Sequence, residues 1–195
     1  MMSIVAVLAV VAGAGALSPA QQGELNARSG NTVFDVGTVS DEFDVRVRRE
    51  TGSPFVFVDF APKAGAADRV LSTASLPPIR VNCAFKAKPV MQGAWGLKPL
   101  AAGRPSATYL AVAEPYARHG VVCAYLTNLK ACGAVDLDVE ADGTVVFKPI
   151  VDYGRMLVRA GVEVGTDTFA IGYFDDCRIG LEAYAETAAK LANVK

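Results

Sequence analysis

The chain has one histidine, His119, four residues before Cys123. That spacing puts both side chains on one side of a helix or a strand. A cysteine beside an imidazole is the arrangement of thiol catalysis, the imidazole drawing the proton from the nucleophile. Gly120 follows His119 at what reads as a strand entrance, where a packing or surface histidine is the plainer reading. A single histidine excludes sites built on two His ligands, including H-E-x-x-H. A Ser-His-Asp triad would have to use His119, and the chain has no G-x-S-x-G elbow.

Two acidic clusters come next. Asp136, Asp138 and Glu140 alternate with Val135, Leu137 and Val139 and so line one face of a strand. Alternate carboxylates can hold Ca²⁺. No loop with a distal Glu follows them, and a solvated strand face looks the same. Asp175-Asp176 stands between an apolar run and a helical pattern, where an acid caps the helix. The sequence has no Walker A loop, no G-x-G-x-x-G and no N-x-[ST]. We expect neither a metal nor a cofactor, and no catalytic residue is assigned.

The four cysteines, Cys83, Cys123, Cys132 and Cys177, show no C-x-x-C pairing. Cys123 and Cys132 flank a strand end and a turn, so a bridge between them is one expectation, with four buried free thiols the other. The stretch from Lys88 to Arg104 has no regular period and holds the only tryptophan, Trp95, among Gly93, Gly96, Pro99 and Gly103. Long irregular loops often bind and aromatic anchors dominate contact energetics. Trp95, Lys98 and Arg104 are therefore the expected partner-contact residues, against the reading of Trp95 as a loop anchor.

The elements that must position these groups are mostly strands. Phe43, Val45 and Val47 alternate with Asp44, Arg46 and Arg48, the pattern of a strand with one wet face. Phe55 to Phe60 is apolar on both faces and so more central. Ile79 to Phe85, Ala107 to Ala113, Val121 to Leu126 and Thr168 to Phe174 read as strands. Asp142-Gly143 between two β-branched runs predicts a hairpin. Asp68 to Ser75 and Tyr153 to Ala160 read as short helical segments. Leu181, Tyr184, Ala188 and Leu191 line one side of a C-terminal amphipathic helix. The expected class is α+β, mainly antiparallel β, sandwich or barrel-like, with that helix at the end.

Hydrophobic residues make up 52% of the 195, enough to fill a core, and 19 basic against 20 acidic residues leave no concentrated basic face. Nucleic acid is not an expected partner. Ile4 to Leu17 is an unbroken run of apolar or Gly residues. As a helix its 14 residues would span roughly 21 Å, short of the hydrocarbon core. With Ala14-Gly15-Ala16 it has the form of a secretory signal, although no Lys or Arg precedes it. The alternative is a retained helix used for assembly or shallow anchoring, with residues 4–17 near a membrane. The expected division is 1–16 leader, 17–31 linker and 32–195 a single β-rich domain.

The stretch Ala14 to Ala20 resembles the signal-to-transit junction of proteins imported into complex plastids of algae. Separately, Ile171-Gly172-Tyr173-Phe174-Asp175-Asp176-Cys177-Arg178-Ile179-Gly180 is similar to the Tyr-Leu-Asp…Arg-Ile segment of plastid lipid-associated proteins, the fibrillins. That resemblance covers about ten residues and implies a lipocalin-like carrier of apolar molecules. A helix stands here where the family has a closing strand. The reading of the whole sequence is a non-enzymatic binding or structural subunit of an exported, organellar or multi-subunit assembly. Its partners would be protein subunits or an apolar small molecule. Its location would be the secretory pathway or a plastid, or alternatively a viral or surface assembly. The other readings are the carrier and a thiol-dependent enzyme using Cys123 and His119.

Overall fold

The computed structural model describes residues 25–29 and 32–192. The leader expected over 1–16 lies outside them. Within the expected linker, Leu25–Ser29 forms a strand, β1, antiparallel to β2 (Thr32–Val36).

The rest of the chain builds two antiparallel sheets and one helix. β3 (Phe43–Arg49) and β4 (Val56–Pro62) open the second sheet; β5 (Arg69–Ser75) and β6 (Ile79–Val81) return to the first. β7 (Val90–Gly93) and β8 (Gly96–Pro99) form a hairpin at the edge of the second sheet. β9 (Ser106–Ala107), β10 (Tyr109–Ala113), β11 (Gly120–Tyr125), β12 (Cys132–Val139), β13 (Val145–Val158) and β14 (Asp167–Phe174) follow, then α1 (Cys177–Leu191). The first sheet has the order β1-β2-β6-β13-β12-β9, with β5 also on β13; the second has β3-β4-β14-β11-β10-β7-β8. This is the expected α+β class in its sandwich form.

Burial explains the sequence patterns. Phe34, Phe60, Tyr125, Phe147 and Phe169 fill the space between the sheets. The outer face of the second sheet is covered in turn by α1, whose Leu181, Tyr184 and Ala188 pack on Phe57, Ala111, Val122 and Ala170. β11 therefore lies between two apolar layers and is buried at every residue. The first sheet keeps a wet outer face, so β12 alternates. There Asp138 pairs with Lys148, Glu140 with Arg80 at 3.3 Å, and the Asp136 carboxylate accepts from the Leu137 N–H. Among the described residues no group of three or more His, Cys, Asp or Glu side chains is placed to hold a metal.

The β12–β13 hairpin forms where Asp142-Gly143 predicts it. Glu140 N–H and Thr144 O pair at 2.8 Å around a three-residue loop, and Gly143 takes φ +87°. A type I turn closed by a left-handed residue needs that conformation.

Four readings are corrected. Asp68 to Ser75 is not helical, since Arg69–Ser75 is β5, and Tyr153 to Ala160 is not helical, since β13 runs through Tyr153 to Val158. The two pair with each other, Val70 opposite Leu157 and Leu71 opposite Met156. A three-residue irregularity lies between Asp152 and Met156, where Gly154 and Arg155 take φ 58° and 64°. The cross-strand ladder outweighs a weak local preference. Lys88 to Arg104 is likewise not an irregular loop: it holds the β7–β8 hairpin. The strand read from Ala107 to Ala113 is divided at Thr108 (φ 68°), where the chain leaves the first sheet and enters the second.

Candidate binding groove

The groups that could do chemistry are tied into the scaffold. His119 Nε2 stands 3.3 Å from Glu114 Oε2. Its ring stacks on Phe85 and lies tilted against Tyr173. Glu114, itself buried, also accepts from the Lys86 N–H. Cys123 faces the core between the sheets and donates its S–H to the Leu110 carbonyl at 3.2 Å. Burial pushes its thiol well above the usual range, opposite to the shift that activates a nucleophilic cysteine. The four cysteines are free thiols. The bridge expected between Cys123 and Cys132 is absent, because Cys123 is sealed in the second sheet while Cys132 is exposed at the start of β12 in the first.

Trp95 sits at the tip of the β7–β8 hairpin, half-buried against the core. Its Nε1–H donates to the Pro105 carbonyl at 3.1 Å, and the neighbouring Ala94 N–H donates to the buried Ser106 Oγ at 2.8 Å. The tryptophan thus pins the hairpin to the 105–106 segment. Lys98 is exposed on β8, and Arg104 is exposed in the connection that follows. The structure does not gather these three residues into one concave site.

A groove of about 180 Å³ lies beside that hairpin, on the outer face of the second sheet. Strand periodicity explains its floor. Val90 and Gln92 oppose Ala113 and Ala111, and Leu97 opposes Gln92, so all five side chains share the outward face. Leu181 of α1 forms one wall, and Pro115 and Arg118 of the β10–β11 loop close one end. Leu97 is 63% exposed although it stands in a strand.

The charged rim is built by the start of α1. Asp176 is its N-cap, as the sequence position predicts, with extended backbone and a carboxylate accepting from the Arg178 N–H at 3.0 Å. Arg178 donates Nε and Nη2 to the same carboxylate, Nη2 at 2.6 Å, and Arg118 Nη1 stands 3.8 Å away. The Arg178 hydrogen bonds lower the Asp176 carboxyl to about 2. Two guanidinium groups thus share one carboxylate. Their side chains are 52% and 68% exposed against 20% for Asp176, so the solvent-facing rim is cationic.

No family model and no curated protein matches this chain. Among solved structures it is similar to the alpha-N-acetylgalactosaminidase NagBb from Bifidobacterium bifidum. The TM-scores are 0.48 to the GalNAc complex, 0.46 to the ligand-free form and 0.45 to a quadruple mutant. Sequence identity is 14% in each case, and the match covers 84% of this chain. The chain spans 30% of the length of that enzyme. A likeness this distant carries no implication for the chemistry of this chain.

Leu97, Arg118 and Arg178 were not singled out by sequence reasoning. Gly93 and Gly96 around Ala94-Trp95 are the turn signal that would have placed Leu97 on a strand. Arg178 lies in the segment similar to the fibrillins, but nothing local marks it or Arg118 as a contact residue, and the two meet only through the fold.

Proposed function

We propose that this domain is a non-enzymatic binding module, a subunit of an assembly, which engages a protein partner through the groove between α1 and the β7–β8 hairpin. The observation that carries this reading is an apolar floor left open beside Leu97 and edged by the exposed guanidinium groups of Arg118 and Arg178. Two further exposed side chains stand on the flanking segments, Tyr116 at 89% and Ile179 at 61%. Exposed apolar surface with Tyr and Arg nearby is the composition of a contact site. The occupant that fits is an extended segment presenting an apolar side chain beside a carboxylate.

The aromatic filling between the sheets favours a surface groove over an interior ligand chamber, and so the partner over the apolar-ligand carrier. The thiol-enzyme reading has the raised Cys123 thiol against it. For residues 1–16 we propose an address to the secretory pathway or a plastid, cleaved after Ala16. The intact mass of the native protein tests it, and a recovered chain that still begins at Met1 rules cleavage out. Among the described residues no helix is long and apolar enough to cross a membrane.

The groove is tested by selecting displayed random peptides on the folded chain. Enriched peptides should carry an apolar residue next to Asp, Glu or a free C-terminus. Their binding should be lost in Leu97→Asp and kept in Lys98→Ala. Peptides indifferent to Leu97→Asp would sink the proposal. A fluorescent fatty acid that binds and survives Leu97→Asp would favour the carrier instead.

A further inference from the structure

The edges of the two sheets are not equally defended. Sheet edges present unpaired N–H and C=O groups, and proteins blunt them with charge, proline or short length. β3 carries Asp44, Arg46, Arg48 and Arg49 along its edge. β8 has four residues, including Lys98 and Pro99, and β9 has two. β5 differs: from Val70 to Ser75 it runs six residues without a charge or a proline.

Among the described residues β5 pairs with β13 alone, so its other edge has no strand on it. A groove of about 140 Å³ runs beside it, lined by Arg69 through Ala74 together with Glu42, Phe43, Pro62 and Tyr153. Beside that edge, on one face, Val70 and Leu157 stand directly opposite each other and are 53% and 54% exposed. An apolar pair of this kind is what an interface covers.

We infer that β5 is a self-association edge, on which two copies of this chain pair antiparallel about Ser72 and Thr73 and join their first sheets into one. A strand is the occupant that uses unpaired backbone groups. A second copy fits because Val70 to Ser75 sets no charge against itself in an antiparallel register. Antiparallel pairing sets Val70 opposite Ser75 and Leu71 opposite Ala74. Arg69 then faces Leu76 and not another cation, and Pro77-Pro78 ends the ladder. A two-fold arrangement of this kind closes at the dimer. One strand pair buries less than a standard interface, so the dimer dissociates on dilution. This surface is separate from the α1 groove.

Sedimentation equilibrium of the full chain over a range of concentrations tests the inference. The wild type should show a monomer–dimer equilibrium, with β5 amides gaining hydrogen-exchange protection as concentration rises. In this register Thr73 of one copy faces Ser72 of the other, and both side chains are exposed; Ser72→Lys with Thr73→Lys, or Ser72→Glu with Thr73→Glu, therefore sets like charges opposite each other in the dimer. Each alone should weaken self-association by about tenfold, equivalent to ~1.4 kcal/mol. Mixing the two variants should restore a heterodimer, a result no folding defect produces. Leu97→Asp should leave the dimer unchanged. A wild type that stays monomeric, or association that persists in each double variant alone, overturns the inference. So does association driven by the leader, which would be indifferent to both substitutions.

Discussion

The N–H of Cys177 donates to the carbonyl of Arg118 at 3.0 Å, tying the first residue of α1 to a residue in left-handed backbone (φ 62°). The β10–β11 loop reaches that geometry by closing Arg118 N–H on the Glu114 carbonyl at 2.7 Å. The left-handed turn and the helix start therefore form one unit, and it is this unit that brings Arg118 and Arg178 to the same carboxylate.

A non-glycine residue in that region costs roughly 1 kcal/mol, which glycine avoids while loosening the unfolded chain. Arg118→Gly should therefore leave stability unchanged or raise it by up to ~1 kcal/mol in denaturant unfolding. The same variant should bind groove-selected peptides less well than the wild type. A loss of more than ~1 kcal/mol would show that the guanidinium, not the backbone, holds the loop.

Asp176 makes the helix start sensitive to acid. Its folded value of about 2 lies below the ordinary 3.8. A lowered carboxyl contributes stability that is present above the unfolded value and lost as pH falls through the folded one. Unfolding midpoints measured from about pH 5 to about pH 2 should thus fall more steeply in the wild type than in Asp176→Asn. Asparagine keeps a capping oxygen but carries no charge to lose. Asp68 and Asp142, also held low by local hydrogen bonds, add the same slope to both proteins. Equal slopes would mean that the Arg178 pairing is not formed in solution.

What could be read from the sequence follows from the range of the interactions. β4, β11 and β14 are legible as short apolar runs because both their faces are buried, while β12 and α1 are legible by period: Val135 and Leu137 inward, and Leu181, Tyr184 and Ala188 along one stripe. β5 and the second half of β13 carry no strand period of their own, and their sequences suggest short helices. They are each other's partners, so the information that makes them strands lies some 80 residues away in sequence and not in either segment. The same holds for the groove. Leu97 was within reach through Gly93 and Gly96, but Arg118 and Arg178 come from different elements and converge only when Cys177 N–H finds the Arg118 carbonyl. Trp95 drew attention as a lone aromatic; its bond to the Pro105 carbonyl makes it a clasp for the hairpin.

The cysteines give a direct readout of burial. Burial pushes the Cys83 and Cys177 thiols up to about 12 and holds the Cys123 thiol well above its usual range. Alkylation of the native chain near neutral pH should label Cys132, which is exposed, and spare the other three until denaturant is added. Mass mapping of the labelled peptides decides it. Rapid native labelling of Cys123 would contradict the sealed position and restore thiol chemistry as a reading.

Gly133 of the first sheet packs closely on Tyr125 of the second. A Cβ at Gly133 would stand 2.3 Å from the tyrosine ring. The ring cannot withdraw freely, since its hydroxyl donates to the Ile150 carbonyl at 2.9 Å and its edges meet Phe60 and Phe169. Nor can the glycine, whose N–H donates to Asn128 Oδ1 and whose carbonyl accepts from Thr108. Gly133→Ala should therefore cost roughly 2–3 kcal/mol by overpacking. Tyr125→Phe removes only the hydroxyl bond and should cost ~1 kcal/mol. In a double-mutant cycle Tyr125→Leu should relieve the alanine, giving a coupling of roughly 1–2 kcal/mol. Strict additivity in that cycle would mean that the backbone, not the ring, absorbs the added methyl, and the sheets would then be less closely packed at this point than the structure has them.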